Sequence, residues 1–111
     1  MSIHTQILKG SEVDRNAGIT ADVNAAVAAA GGLRLTGYSC RESAGAAAAA
    51  TIAIVHGATV AGGTQVVYVE LAANGSETVW LGDAGISVDS GISIEVIAGT
   101  ADVNLFYKVV V

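Results

Sequence analysis

From Leu33 onward the chain alternates apolar and polar side chains with a period of two, in runs separated by glycine, asparagine and aspartate. The runs are "LRLTGYSCRE", "TIAIVH", "QVVYVELAA", "GISIEVIAG" and "DVNLFYKVVV". Successive side chains of a strand point to opposite faces, so such a run builds a strand with one face buried. The residues are mostly β-branched, which suits a pleated surface. Between the runs lie "HGATVAGGT", "AANGSE", "GDAG", "VDSG" and "AGTADV", all turn-forming. Many short strands at this spacing predict an all-β chain, a small antiparallel β-sandwich, either jelly-roll-like or immunoglobulin-like.

The phase of each run assigns faces. Leu33, Leu35 and Gly37 fall opposite Arg34, Thr36 and Tyr38, and Ile52 and Ile54 fall opposite Ala53 and Val55. Val67, Val69 and Leu71 oppose Val66, Tyr68 and Glu70, while Ile92, Ile94 and Val96 oppose Ser93, Glu95 and Ile97. In the last run Val103, Leu105, Tyr107 and Val109 oppose Asn104, Phe106 and Lys108. Asn74-Gly75 is the best local hairpin signal, because both residues accept positive φ.

Residues 1–32 follow no single period and read as an N-terminal arm, an assembly segment or a short extra element. "QIL" and "AGIT" have strand composition. "ADVNAAVAAAGG" fits either a strand or a two-turn helix over residues 23–30, capped by Asp22 and closed by Gly31 and Gly32. The alanines at 46–50 have the best helix propensity of any residue. Gly45 interrupts their start and Thr51-Ile52 resumes alternation, which leaves too few residues for a self-sustaining helix. Residues 44–50 are therefore a connection between strands, extended in its later part. Its small side chains either meet solvent or let a neighbouring backbone approach, with Ala46 and Ala48 as the contact candidates.

A chain of 111 residues holds one core. About half its residues are apolar, yet only one Phe, one Trp and three Tyr are aromatic. A core of Ala, Val and Ile removes less surface from water than one of Leu and Phe, at roughly 25 cal/mol per Å². Small domains of this kind gain stability from disulfides, metals or neighbouring subunits. Cys40 is the single cysteine, which excludes an internal disulfide, and no Cys/His spacing suggests zinc. Association is what remains, so a homo-oligomer is expected.

The formal charge is −5, and Lys9, Arg15, Arg34, Arg41 and Lys108 are scattered along the chain. That pattern argues against nucleic acid as a partner. No apolar run has the length of a membrane span, and the N-terminus lacks the basic and apolar regions of a signal peptide. Synthesis in a cytoplasm, with no membrane partner, is the expectation.

Reactive chemistry is sparse. His4 and His56 come with no motif supplying a nucleophile or an orienting carboxylate. Cys40 reads as a small buried hydrophobe, with Arg41 on the opposite strand face. Asp83 and Asp89 sit in glycine turns where Asx capping is the simpler role than calcium binding. Neither GxGxxG nor GxxxxGK[ST] occurs. Glu42 and Glu77 have Arg34 and Arg41 as candidate ion-pair partners, at about 0–1 kcal/mol each when exposed. The reading is of a non-enzymatic chain with no cofactor and no metal. Trp80 alternates with Val79 and Leu81: if those two fill the core, Trp80 lies outside as an interface anchor, and otherwise it plugs an end of the sandwich. Tyr38 and Tyr68 fall on outer faces by the same parity and join Trp80, Ala46 and Ala48 as candidate interface residues.

The ordered set "LRLTGYSCRES", "AAAAATIAIVHG", "VVYVELAANGSETVWLG", "GISVDSGISIEVIAG" and "VNLFYK" resembles small β-sandwich virion proteins of tailed bacteriophages. The resemblance spans about residues 33–107 and rests on the series rather than on any one motif. It implies a structural role, of the head decoration or cement type, on the outer capsid surface of a virion made in a host cytoplasm. The implied partner is the major capsid protein, with a trimer favoured as the oligomer. Tail, neck or fibre-associated proteins are the alternative within the virion, and a carbohydrate-binding sandwich is the alternative outside it.

Overall fold

The computed structural model describes residues 12–110. They form β1 (Glu12–Ile19), β2 (Val23–Val27), β3 (Leu33–Glu42), β4 (Ala50–His56), β5 (Thr64–Leu71), β6 (Ser76–Trp80), β7 (Ile86–Ser87), β8 (Ile92–Ala98) and β9 (Ala101–Val109). One sheet has the order β1-β9-β3-β6, with β7 also on β3, and the other has the order β2-β8-β4-β5. Every pairing is antiparallel.

This order decides between the two expected sandwiches. With the two-residue β7 set aside, the pairs β1–β9, β2–β8, β3–β6 and β4–β5 match the first strand with the last, the second with the next to last, and so inward. They fall alternately in the two sheets. β3–β9 and β4–β8 then close each sheet. A long antiparallel hairpin rolled up on itself gives this pattern, which is the jelly roll. The molecule is thin, with Cα extents of 46 × 33 × 17 Å, as two stacked layers require.

The core lies between the sheets. Leu33, Leu35, Cys40, Val103 and Leu105 face it from the first sheet, and Ile52, Ile54, Val69, Ile92 and Ile94 from the second. The alternation identified each of these except Cys40. On β4 both faces are buried, because the outer-face residues Ala53 and Val55 are covered as well. Ala53 sits in register with Tyr68 and Glu95, and the Gln65 side-chain amide donates to Glu95 at 2.7 Å across β4. Ser93 is buried but satisfied, since its hydroxyl donates to the Gly57 carbonyl at 2.8 Å and accepts the Ala25 N–H at 3.0 Å.

Several expectations change. From Glu12 on, the N-terminal segment is not an arm: β1 and β2 are edge strands of the two sheets. Residues 1–11, with "QIL" and His4, lie outside the described residues. Of the strand and the two-turn helix offered for residues 23–30, the strand holds at Val23–Val27, and Asp22 caps no helix. Its carboxylate instead accepts the Val96 N–H at 2.9 Å, fastening β2 to β8. Asn74-Gly75 is a tight turn, with φ of +60° at Asn74 and the Gly75 N–H on the Ala72 carbonyl at 2.7 Å. It joins strands of different sheets, so it makes a corner rather than a hairpin.

Tyr38 is the main correction to the faces. It is 6% exposed and belongs to the core. Against β9, Leu35 pairs with Tyr107 and Gly37 with Phe106, so β3 carries one extra residue there, Thr36. A bulge of this kind inverts the side-chain phase beyond it. Tyr38, Cys40 and Glu42 therefore turn inward, and Gly37, Ser39 and Arg41 outward.

Candidate contact face

The same bulge builds a surface. Register places Val13, Phe106, Gly37 and Trp80 side by side across β1, β9, β3 and β6. With strands about 4.8 Å apart, this row runs about 14 Å across the outer face of the first sheet. Trp80 is 59% exposed and Val13 45%, and Phe106 is half-buried between them. Gly37 lets the two rings close over the backbone. A Cβ there would lie 3.2 Å from Phe106 Cδ2, 3.3 Å from Trp80 Cε3 and 2.7 Å from the Val79 carbonyl oxygen. Any larger residue would displace the rings and the β6 backbone. Trp80 thus takes the outer position, with Val79 and Leu81 packed against the core.

Cations surround this row. Arg15 stands beside Asn104, Arg34 beside Lys108, and Arg41 beside Asp102. By strand parity all four Lys and Arg of the described residues face outward from the first sheet, although the sequence scatters them. Among the described residues Arg41 alone is in an ion pair there, with Asp102 at 2.7 Å. That pairing replaces the expected partners Glu42 and Glu77. The outer face of the second sheet is opposite in character, carrying Glu70 and Glu95 on β5 and β8 and, among the described residues, no cation. The molecule therefore has one aromatic, cationic face and one acidic face.

Tyr68 is 54% exposed, as expected, but on that second sheet and far in topology from Trp80. Ala46 and Ala48 are exposed in the connection between β3 and β4, which is not helical. The candidate residues thus divide among four places: Tyr38 in the core, Trp80 on the aromatic row, Tyr68 on β5, and the alanines on a loop. Phe106, Val13, Arg15, Arg34 and Lys108 join Trp80 without having been singled out. The signal for Phe106 was present in the parity of "VNLFYK"; the positions of Arg15 and Val13 needed the β1–β9 register.

That loop is held from beneath by Glu42. Its buried carboxylate accepts the Asn74 N–H at 2.7 Å and the Ala44 N–H at 2.6 Å, linking the alanine connection to the Asn74-Gly75 corner. These backbone donors hold the Glu42 carboxyl below its ordinary range. Asp102 is lowered likewise, first by the Gly18 N–H at 2.6 Å and then by Arg41. Both carboxyls release their protons more readily folded than unfolded. Their stabilisation is complete above the ordinary carboxylate range and is lost as pH falls through the folded values. Urea midpoints measured between pH 7 and pH 2.5 should fall steadily below about pH 4.5. Glu42→Gln combined with Asp102→Asn should lower the midpoint at pH 7 and flatten that fall; an unchanged slope would refute the assignment.

The other reactive groups are quiet. Cys40 is buried, and burial followed by the charge of Glu77 pushes its thiol from 9.0 to about 12. The Tyr38 hydroxyl is raised to about 12 by burial and by its hydrogen bond to Glu77 Oε2 at 3.0 Å. A thiol so protonated is a poor nucleophile. His56 Nε2 accepts the Ser90 N–H at 3.2 Å, a structural role at the end of β4. Among the described residues no group of three or more His, Cys, Asp or Glu is placed to hold a metal ion, and no helix is long and apolar enough to cross a membrane.

Neither the protein-family models nor the curated proteins compared with this chain match it.

Proposed function

We propose that this chain is a non-enzymatic virion structural protein that decorates the outer capsid of a tailed phage and stabilises it by contact with major capsid subunits. The observation that carries this reading is the outer face of the first sheet. An exposed Trp80 beside Phe106 and Val13, ringed by Arg15, Arg34 and Lys108, has the composition of a protein-contact surface, where Trp, Phe and Arg are enriched and Lys sits at the rim. The cations select an acidic partner surface. The jelly roll supports the reading by association only, since viral capsid and lectin domains both use it.

A second reading, a carbohydrate-binding module, is favoured by the exposed Trp80 ring, which is a flat platform of the kind sugars stack on. The two separate by experiment. Imaging of particles made with and without this chain should show the lost density on the head exterior, and particles lacking it should break at lower temperature. Density lost at the neck or tail would move the protein there. Intact wild-type density in both preparations, with saturable glycan binding abolished by Trp80→Ala, would establish the second reading instead.

A further inference from the structure

An edge strand presents unpaired backbone N–H and C=O groups that invite another chain, and folded proteins usually blunt such edges. Three of the four edges here are blunted. β1 turns Glu12, Asp14 and Asn16 to the side of Tyr107, Leu105 and Val103, and its register breaks at Gly18, where φ is +57°. β2 meets β8 in register only at Val23 and Val27, with Ala25 between them at φ +49°. β6 is five residues long and β7 two, so the edge along β3 is broken at residues 81–85.

β5 has none of these devices along most of its length. It is eight residues long, TQVVYVEL, with no Lys, Arg or Pro and a single carboxylate, Glu70. It pairs regularly with β4 from Val67 to Leu71, and its one irregularity lies at its start, between Gln65 and Val67. It exposes Tyr68 and half-exposes Val66 and Val67.

We infer that β5 pairs antiparallel with β5 of a second copy of this chain, joining the two four-stranded sheets into one. The only long unblunted edge among the described residues has only itself to match, which makes the contact isologous and two-fold. Side-chain faces select the direction. A two-fold axis that paired the two β5 edges in parallel would run along the strands and turn one sheet over, setting the apolar inner face of one copy beside the outer face of the other. Antiparallel pairing has its axis normal to the sheet and keeps like faces together. Centred on Tyr68, it sets the two Tyr68 rings directly opposite each other, a favourable aromatic pair. It holds the two Glu70 carboxylates four residues of strand apart, about 14 Å, beyond the screening length of about 8 Å at physiological salt.

A two-fold axis within one continuous sheet is normal to that sheet, so both copies keep their first sheets on the same side. The pair would present two aromatic, cationic faces to one surface and bind it bivalently. This last consequence rests on the proposed function, whereas the pairing does not. One eight-residue ladder is small beside a standard interface of about 1,600 Å², so the dimer should be concentration-dependent.

Sedimentation equilibrium over a wide concentration range tests it on the intact chain. A monomer–dimer equilibrium is expected, with Tyr68→Lys raising the dissociation constant by about tenfold or more. Ile97→Lys, on the same face of β8 with β4 between, should leave it unchanged, as should Trp80→Ala. Hydrogen exchange on the wild type provides a check that needs no variant: amides of β5 should gain protection with concentration while those of β1 and β2 do not. A monomer at every concentration, a trimer, no added β5 protection, or equal loss with Ile97→Lys would each overturn the inference. A wild-type chain that dimerises but does not bind particles would instead count against the contact face alone.

Discussion

Ile94→Ala should cost about 3 kcal/mol of unfolding free energy, within a range of about 2–5 kcal/mol for such truncations in a packed core. Ile97→Ala, three residues along the same strand, should cost less than about 1 kcal/mol. The two changes delete the same atoms, so the contrast isolates position. Ile94 is fully buried between the sheets, opposite Ile54 on β4 and Val23 on β2, whereas Ile97 is 45% exposed on the outer face. A core built of Val, Ile and Leu on thin layers has little capacity to collapse around a void. Against a total stability of about 5–15 kcal/mol for a domain of this kind, the Ile94 loss is severe. Urea unfolding at pH 7 reads both, and equal midpoints for the two variants would contradict the assignment of faces on β8.

Trp80→Ala should weaken association with the particle by about 30-fold or more, equivalent to about 2 kcal/mol, as loss of a central aromatic anchor does. Its melting temperature should move little, because the ring is 59% exposed. Phe106→Ala should weaken binding in the same direction with a larger stability cost, since that side chain is half-buried. Arg34→Ala and Lys108→Ala should act mainly on the salt dependence, because rim charges are screened at physiological ionic strength. A Trp80→Ala chain that binds particles as the wild type does would remove the aromatic row from the account.

Strands were legible wherever alternation ran unbroken. β4, β5, β8 and β9 lie where the pattern puts them, and Ile52, Val69, Ile94 and Leu105 face the core as it requires. The failures have local causes. One residue inserted at Thr36 inverted the face of Tyr38, and nothing in "LTGYS" marks a bulge except the glycine. β1 was obscured because its core-side positions are Glu12, Asp14 and Asn16, polar residues at a sheet edge; Asn16 donates to Asp14 at 2.7 Å. β2 was obscured by alanine, whose helix propensity is overridden by pairing with β8. The candidate site was legible at Trp80 alone. Its neighbours come from three other strands distant in sequence, β1, β3 and β9, and only strand order and register bring them together.

The contact claim meets its most direct test in cosedimentation of the purified chain with particles that lack it. The account predicts saturable binding to the head exterior at physiological salt, weakening as salt rises, and a loss of about 30-fold or more for Trp80→Ala. A chain that stays in the supernatant at every concentration, or binds equally well without Trp80, would contradict it.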